Sequence, residues 1–563
     1  MPYTVSTLVD HPGFFQPDAP DLPVHGANLV TSAVLRILAS SERVGALEVF
    51  VPPALMASTA ALAEAARAAL PPERRGLGVL RFYPVHALPD VWADGAPRVL
   101  FTVDPEMLDR DRYLRDRFAL GPTPIVCDSH ALGHQPLWGP LRRVGAARPV
   151  PYDCLLGISR AVCEALPRAF DGFLAPAGTP PPFRIEQVPH GVDADLFRPA
   201  GPERREAARR ALGLPTDARI LLYLGRLSPH AKADLLPLVT VFAEASTEED
   251  FLLMAGIENA PGYGARLLDA AAELGVRDRV ALRTQVPHEL RTTCYAAADV
   301  FVFPGDTVQE ALGNTILEAM ASGLPVVASD WDGMRDMVTH EVTGLLVPTW
   351  WMPGLGRVEA LSPATPVLTS YMLLAQSVWV DTGALARALR ALLRSPRRCA
   401  EMGAAGRARV ERELTWARVM ERWFALWDAL LEEAARESPA EREARRGEAA
   451  AIGLPAPYLR LFDHYATGVI DPERQCVRLT DTGRAVLEGR QALRFYDETL
   501  CLLRQEVVDA ALDALRRAEP AWALMRALVE AIASATGCAQ EDVRYHLGLL
   551  LKRAVIEISP PVR

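Results

Sequence analysis

Short apolar runs alternate twice with helix-length Ala/Leu patterns along this chain, and few folds accommodate that rhythm. Up to about residue 199 the series reads LVTSAVLRILA, ALEVFVP, ALAEAARAAL, RVLFTV, TPIVCDS and CLLGISRAVCEAL. A second series begins at RILLYLGRL and continues through FLLMAGI, RVALRT, DVFVFP, LPVVASD and TGLLVP. β-Rich runs separated by helices imply βαβ units and parallel sheets. The expected fold class is α/β, with two doubly wound Rossmann-like domains over residues 1–199 and 200–437. Ligands of such sheets sit beyond the strand C-termini, here in the cleft between the two.

The rest of the chain departs from this rhythm. The segment from Thr349 to Asp381 interrupts the second series with Pro, Gly and aromatics and reads as an inserted loop or small subdomain. Its adjacent Trp350 and Trp351 read as anchors for that loop and are left outside the site. The alternating charges of ESPAEREARRGEAA make residues 438–450 a solvated helix end or a linker. Beyond them, residues 451–563 run strand, helix, then helix, Gly-containing turn, helix and short strand, a pattern that allows a winged-helix-like or helical module.

With 563 residues the chain exceeds one ordinary core, which agrees with several folding units. Sixty basic against seventy acidic residues leave a net charge of −10, so no global field draws the chain to nucleic acid or to an anionic membrane. The eight cysteines are scattered without a C-x-x-C pair, a pattern that fits a reducing cytoplasm. A basic region followed by an apolar one is absent from the N-terminus, and the charge-free stretch 360–380 is broken by Pro363, Pro366 and several Ser and Thr, unlike a membrane span. Cytoplasmic placement is expected, with room left for peripheral contact with a membrane.

The chemistry concentrates in FPGDTVQEALGNTILEAMASGLPVVASD, Phe303 to Asp330. One strand ends near Pro304 and another starts after Gly323, so a loop and a short helix lie between. Asn314 or Thr315 is a candidate N-cap, and TILE fits a capping box in which Glu318 reaches back to a free amide. A second reading competes. Gly313 permits close backbone approach, and a helix starting beyond a parallel strand offers free N–H groups to a phosphate. A carboxylate accepts two hydroxyl hydrogen bonds at once, so Glu310 and Glu318 suit the diols of a sugar and of a ribose.

Two glutamates separated by seven residues and followed by AMASGLPVVAS resemble the signature of the GT-B glycosyltransferases of retaining family 4, also called glycosyltransferase group 1. The resemblance implies that Glu310 contacts donor-sugar hydroxyls and Glu318 the nucleotide ribose. Upstream, LLYLGRLSPHAKADLLPLV resembles the family's G-R-L-x(n)-K element, which makes Arg226 and Lys232 the holders of the donor diphosphate. IVCDSHALGHQ resembles the segment whose histidine faces the donor sugar, a place filled by His130, with His134 left as a core or surface residue. VHGANLVTSAVLRIL resembles the N-terminal glycine loop, placing Gly26 near the donor phosphates, although Asn28 also reads as a plain N-cap. VPHGVDADLFRP resembles the hinge between domains, with His190 where the family usually has Asn. Gly305 and Asp306 stand where Ser is usual.

The resemblance covers about residues 1–437 and makes 1–199 the acceptor side and 200–437 the donor side. It implies a retaining, metal-independent hexosyl transfer from a UDP-, GDP- or ADP-sugar to an unidentified acceptor hydroxyl. His130, Glu310, Arg226 and Lys232 are then the catalytic set, and Glu318, Gly313, Asn314, Thr315 and Gly26 the donor-binding set. No carboxylate pair of the D-x-D kind stands beside the phosphate elements, so neither metal nor cofactor is expected. The rival reading is a sugar-nucleotide sensor or scaffold whose C-terminal module binds protein or DNA. Residues 438–563 carry 17 basic and 18 acidic side chains, and DVRYHLGLLLKRAV is mostly apolar, which favours a protein partner over nucleic acid.

Overall fold

Strands that are apolar on both faces lie in the middle of covered parallel sheets, and both series do so. The computed structural model describes residues 2–10, 26–53, 55, 64, 67–68, 70–75, 78–287, 290–352, 354–449, 453–454, 458–462, 469–496, 499–500 and 502–559. The first sheet takes β1 (Tyr3–Leu8), then α1 (Gly26–Ser40), β2 (Val44–Val51), β3 (Leu80–Pro84), β4 (Val99–Thr102), α2 (Leu108–Phe118) and β5 (Ile125–Asp128). It continues with β6 (Cys154–Gly157), α3 (Arg160–Phe170) and β7 (Arg184–Gln187). Its seven strands run in the order β3-β2-β1-β4-β5-β6-β7. β5 pairs in parallel with β4 and β6, registering Cys127 against Thr102 and Leu155.

The second sheet takes β8 (Arg219–Leu224), α4 (Leu236–Ala245), β9 (Asp250–Gly256), β10 (Val280–Thr284), α5 (Arg291–Ala297) and β11 (Val300–Phe303). After these come α6 (Asn314–Ala321), β12 (Val326–Ser329) and β13 (Gly344–Val347). Its order is β10-β9-β8-β11-β12-β13. Ile220, Leu221, Leu222 and Tyr223 of β8 are fully buried, as a central strand requires. In both sheets the first strand stands inside and the chain winds outward on both sides, so the topological switch of each lies beside its first strand.

The inserted segment forms its own two-stranded antiparallel ribbon. β14 (Thr349–Trp351) pairs with β15 (Val378–Val380), and α7 (Val367–Ala375) lies between them. Trp351 anchors it, packing 5.3 Å from Trp331 and donating to Ser377 Oγ at 2.9 Å. Trp350 stays 58% exposed, so the anchoring expected of both tryptophans belongs to one of them.

The closing helices are α8 (Pro396–Arg409), a π-type turn over Val410–Leu414, and α9 (Trp416–Ala434). α9 packs back on the first sheet: Phe424 stacks on Tyr3 at 5.4 Å, and Trp423 lies 5.4 Å from Phe101. The chain therefore crosses between lobes twice, at residues 188–199 and again at 410–416. The charged stretch after α9 is a helix and not a linker: α10 (Pro439–Glu448), mostly exposed and started by a Ser438–Glu441 capping box. Arg445 is buried between Asp116 of α2 (2.6 Å) and Glu437 (3.0 Å). Alternating charge reads as solvated because a sequence does not reveal the buried Asp116 that receives one of those arginines.

Compact units divide elsewhere. One takes in Met1–Phe50, Ala61–Phe82 and Pro89–Leu454 and holds both sheets; the other takes in Val51–Ala60, Tyr83–Leu88 and Pro455–Arg563. In the second unit β16 (Cys476–Leu479), α11 (Asp481–Leu487), α12 (Gln505–Ala518), β17 (Ala523–Leu524), α13 (Met525–Thr536), α14 (Gln540–Lys552) and β18 (Ile556–Ile558) form three main helices and an antiparallel sheet ordered β17-β16-β18. α14 buries Val543, His546, Leu547 and Leu550 in that core. Among the described residues no helix is long and apolar enough to cross a membrane.

Candidate active site

Gly225 and Arg226 follow β8 directly, which puts the Arg226 side chain at the C-terminal end of the second sheet. Its Nε is buried and has no hydrogen-bond partner among the described residues. Burial pushes the guanidinium pKa down, while the neighbouring Glu310 opposes that shift. Lys232 sits in the same loop, held by Asp306, whose carboxylate accepts the Asp234 N–H at 3.1 Å. The Lys232 Nζ donates to Glu310 Oε2. Burial lowers the Lys232 pKa, and Glu310 pulls it back.

Glu310 is itself only 7% exposed. Its second oxygen accepts the Gly313 N–H at 3.0 Å. Burial alone would raise its pKa, but Lys232 and this amide hold the carboxyl below the usual glutamate range. Gly313 takes φ = 78°, a left-handed conformation that glycine adopts without strain, and it caps α6. The N-cap is thus neither Asn314 nor Thr315; Asn314 is the first helical residue. The capping box is likewise not formed. Glu318 turns to the opposite side, where Tyr295 Oη donates to Oε2 at 2.8 Å and Arg291 pairs with Oε1.

The first lobe meets this site through the loop after β5. Gly133 packs so tightly on Val308 that a Cβ there would lie 2.3 Å from the Val308 carbonyl oxygen. Gln309 Nε2 donates to the Gly133 carbonyl at 3.4 Å. His130 is half-buried with Nε2 3.0 Å from the Val103 carbonyl, and its ring lies 5.7 Å from that of His190. Asp128, His130 and His190 bring one potential ligand atom each within 4.8 Å of one another, a set that could hold a metal ion. His134 also reaches the cleft. Burial lowers its pKa, and Arg226, His130 and Lys232 act in the same direction. Tyr371 of the insertion stands edge-on to it at 5.7 Å and accepts the Gln135 N–H at 3.0 Å.

One site loop escaped the sequence reading. Asp332, after β12, takes φ = 43° and accepts the Ser159 hydroxyl of the other lobe at 2.8 Å. Burial pushes its pKa up to about 7, against the Ser159 hydrogen bond and with the help of Glu310. Arg291 and Tyr295 escaped too, because neither lies in a motif. For Lys232 a signal was available: of the sixty basic side chains just two are lysine, at 232 and 552. A chain that uses arginine at all but two of its basic positions keeps at 232 a compact point charge.

Arg226, Lys232, Glu310, Gly313, Asn314 and Thr315 converge at the start of α6, with Glu318 one turn further on and His130 facing them from the first lobe. Gly26 opens α1 as its first residue, and Asn28 lies inside that helix, not at its cap. The loop before Gly26, residues 11–25, lies outside the described residues.

Comparison with known proteins agrees with this geometry. Residues 204–350 match the family described as Glycosyl transferases group 1. The D-inositol 3-phosphate glycosyltransferase of Thermobispora bispora is 37% identical over 188 residues, 32% of this chain and 43% of that protein. Its counterpart in Mycolicibacterium smegmatis is 34% identical over 205 residues, 35% of this chain and 45% of that protein. The chain therefore spans less than half the length of these two curated relatives.

Among solved structures, Anabaena HepE in complex with UDP and glucose superposes with a TM-score of 0.52 at 16% identity, covering 76% of this chain and 100% of that one. The sucrose-phosphate synthase of Thermosynechococcus elongatus does so with a TM-score of 0.52 at 21% identity, covering 76% and 99%. Two Rossmann-like lobes, these neighbours and the matched span lead to one assignment: residues 204–350, which carry Arg226, Lys232, Glu310 and Glu318, are a glycosyltransferase group 1 domain within a chain of GT-B fold.

Proposed function

We propose that the protein transfers a sugar from a nucleoside diphosphate to an acceptor hydroxyl with retention of anomeric configuration. The observation that carries this reading is Arg226, a half-buried cation whose buried Nε has no hydrogen-bond partner among the described residues, coupled to Glu310 in the loop that leads to Gly313 and α6. Buried donors are normally satisfied, and a diphosphate oxygen is the acceptor that this one fits. The free amides at the start of α6 add partial positive charge at the same place.

In the proposed reaction the bond from the anomeric carbon to the diphosphate breaks as the acceptor oxygen bonds to that carbon on the same face. The acceptor proton passes to the departing diphosphate oxygen. Arg226 and Lys232 stabilise the charge that grows on the leaving group. Glu310 and His130 orient the hexose, and Glu318 holds the ribose. Tyr295 and Arg291 already occupy both Glu318 oxygens, but a carboxylate has about four acceptor directions and keeps room for a diol. The C-terminal unit is assigned to a protein partner, and the cytoplasm is the proposed compartment.

UDP is the first nucleotide to test, since a fold neighbour is described with it, and an inositol phosphate is the first acceptor, given the names of the relatives. The experiment incubates the full chain with UDP-, GDP- and ADP-sugars and acceptor, follows nucleotide release, and reads product configuration by NMR. An inverted product would overturn retention. Failure of every nucleotide diphosphate to bind would overturn the site assignment itself.

A further inference from the structure

The sequence motifs leave His190 without a role; its surroundings supply one. Three residues past β7, at the first crossing between lobes, its ring is 2% exposed and its Nε2 lies 3.3 Å from Asp128 Oδ2. Asp128 ends β5, is equally buried, and keeps its other oxygen without a hydrogen-bond partner among the described residues. On the opposite side, His190 Nδ1 is 3.3 Å from Oδ1 of Asn314, the first residue of α6. The second crossing packs against the same ring: Trp416 stacks on it at 6.4 Å and 29°, and Val192 pairs with Thr415.

Nε2 has no aligned hydrogen-bond partner among the described residues, so its approach to Asp128 is a close polar contact at ion-pair distance rather than a hydrogen bond. Asn314 Oδ1 can only accept, so the ring N–H at Nδ1 donates to it. One imidazole thus joins the strand end that carries His130 to the helix start that carries the diphosphate-binding amides. Those are the two sides of the bond that the proposed reaction breaks, and a displacement of about 1 Å there is worth roughly 100-fold in rate.

We propose that His190 is a positioning residue: by bridging Asp128 of the first lobe and Asn314 of the second, it sets the start of the phosphate-binding helix against the sugar-facing His130. This rests on the glycosyl-transfer reading for its consequence, though not for its geometry. Asparagine mimics the reach of Nδ1 alone and glutamine that of Nε2 alone, so each retains one half of the bridge.

The test uses His190→Asn, His190→Gln, Asp128→Ala and the double variant His190→Asn/Asp128→Ala in the full chain. In the ligand-free protein, hydrogen exchange at Ile316, whose N–H bonds to the Gly313 carbonyl in the first turn of α6, is expected to quicken about tenfold in each single variant, the worth of one buried polar contact. The double variant is expected to add nothing to that. With donor and acceptor, kcat is expected to fall about 10–100-fold while UDP affinity stays within about twofold.

Unchanged exchange at α6 in both His190 variants overturns the bridge whether or not transfer is observed. Independent, additive effects of Asp128→Ala and His190→Asn overturn it as well. So does a stoichiometric zinc ion that purifies with the native chain and is lost in His190→Asn, for that would make the Asp128, His130 and His190 set a metal centre. Quickened exchange without nucleotide binding leaves the bridge standing and refutes the glycosyl-transfer reading instead.

Discussion

Replacing Arg226 by methionine separates a binding role from a structural one, because the two predict opposite signs. Met keeps an apolar stem of similar reach and removes the charge. In the native chain Glu310 faces Arg226, yet its oxygens are already engaged by Lys232 and the Gly313 amide. The Arg226 Nε is buried with no partner among the described residues, so removing it relieves a desolvation cost of about 1–3 kcal/mol. Even 1 kcal/mol of relief would raise the apparent melting point by roughly 2–4 °C for a domain of this size.

With a nucleotide bound the balance reverses. Two charge-assisted hydrogen bonds to a diphosphate are worth about 1.5–3 kcal/mol each, so their loss weakens UDP binding by roughly 10²–10⁴-fold. Thermal denaturation with and without UDP, followed by titration calorimetry, reads both quantities from the same preparations. A variant that melts several degrees lower while binding UDP as well as the native chain would refute the reasoning and make Arg226 a packing residue.

Lys232→Arg keeps the charge but puts a planar fork into a largely buried space against Glu310; turnover is expected to fall about 10–100-fold in a steady-state assay, with the fold intact by circular dichroism. Glu318→Gln keeps an acceptor for Tyr295 and loses the charge; the donor KM is expected to rise about tenfold with kcat at saturating donor unchanged, whereas a purely structural Glu318 would lower the melting point and leave KM alone. Asp332→Asn tests the carboxyl pushed up to about 7. A raised carboxyl pKa means the folded state binds the extra proton, so this group favours folding below about pH 4 and that contribution is lost as pH rises through 7. The melting point of Asp332→Asn relative to the native chain is therefore expected to climb between pH 5 and pH 8; a constant offset would contradict the assignment.

Strands, lobes and the convergence at α6 were legible because their signals are local. A parallel strand buried on both faces writes its burial into four to six consecutive residues, and the loops that carry Arg226 and Glu310 follow such strands directly. What was illegible depends on partners far apart in sequence. TILE has the spacing of a capping box, yet Glu318 is claimed by Tyr295 and Arg291, 23 and 27 residues earlier on another helix. Ser159 and Asp332 are separated by 173 residues, and His190 and Asn314 by 124. The alternating charges after α9 left a linker open for the same reason, since Asp116, which receives Arg445, lies 329 residues away.

The ligand-free arrangement also explains how acidic and basic groups share one buried site without mutual loss. Glu310 is neutralised by Lys232 and the Gly313 amide, and Glu318 by Arg291, while Arg226 remains as excess positive charge near Glu310. Breaking a buried ion pair by removing one partner costs several kcal/mol, because it leaves the other charge uncompensated. Under the proposed assignment an incoming donor avoids that cost by exchange. Its diphosphate takes over Lys232 together with Arg226, and the Glu310 oxygen so released receives the hexose hydroxyls that arrive on the same molecule. Free UDP still reaches Arg226 and the α6 amides, but drawing Lys232 away as well would strand Glu310, and free sugar would leave Lys232 and Arg226 unscreened, so neither half of the donor completes the exchange alone. Selectivity for the intact nucleotide sugar then follows from charge conservation inside the cleft, before any contact with the base is considered.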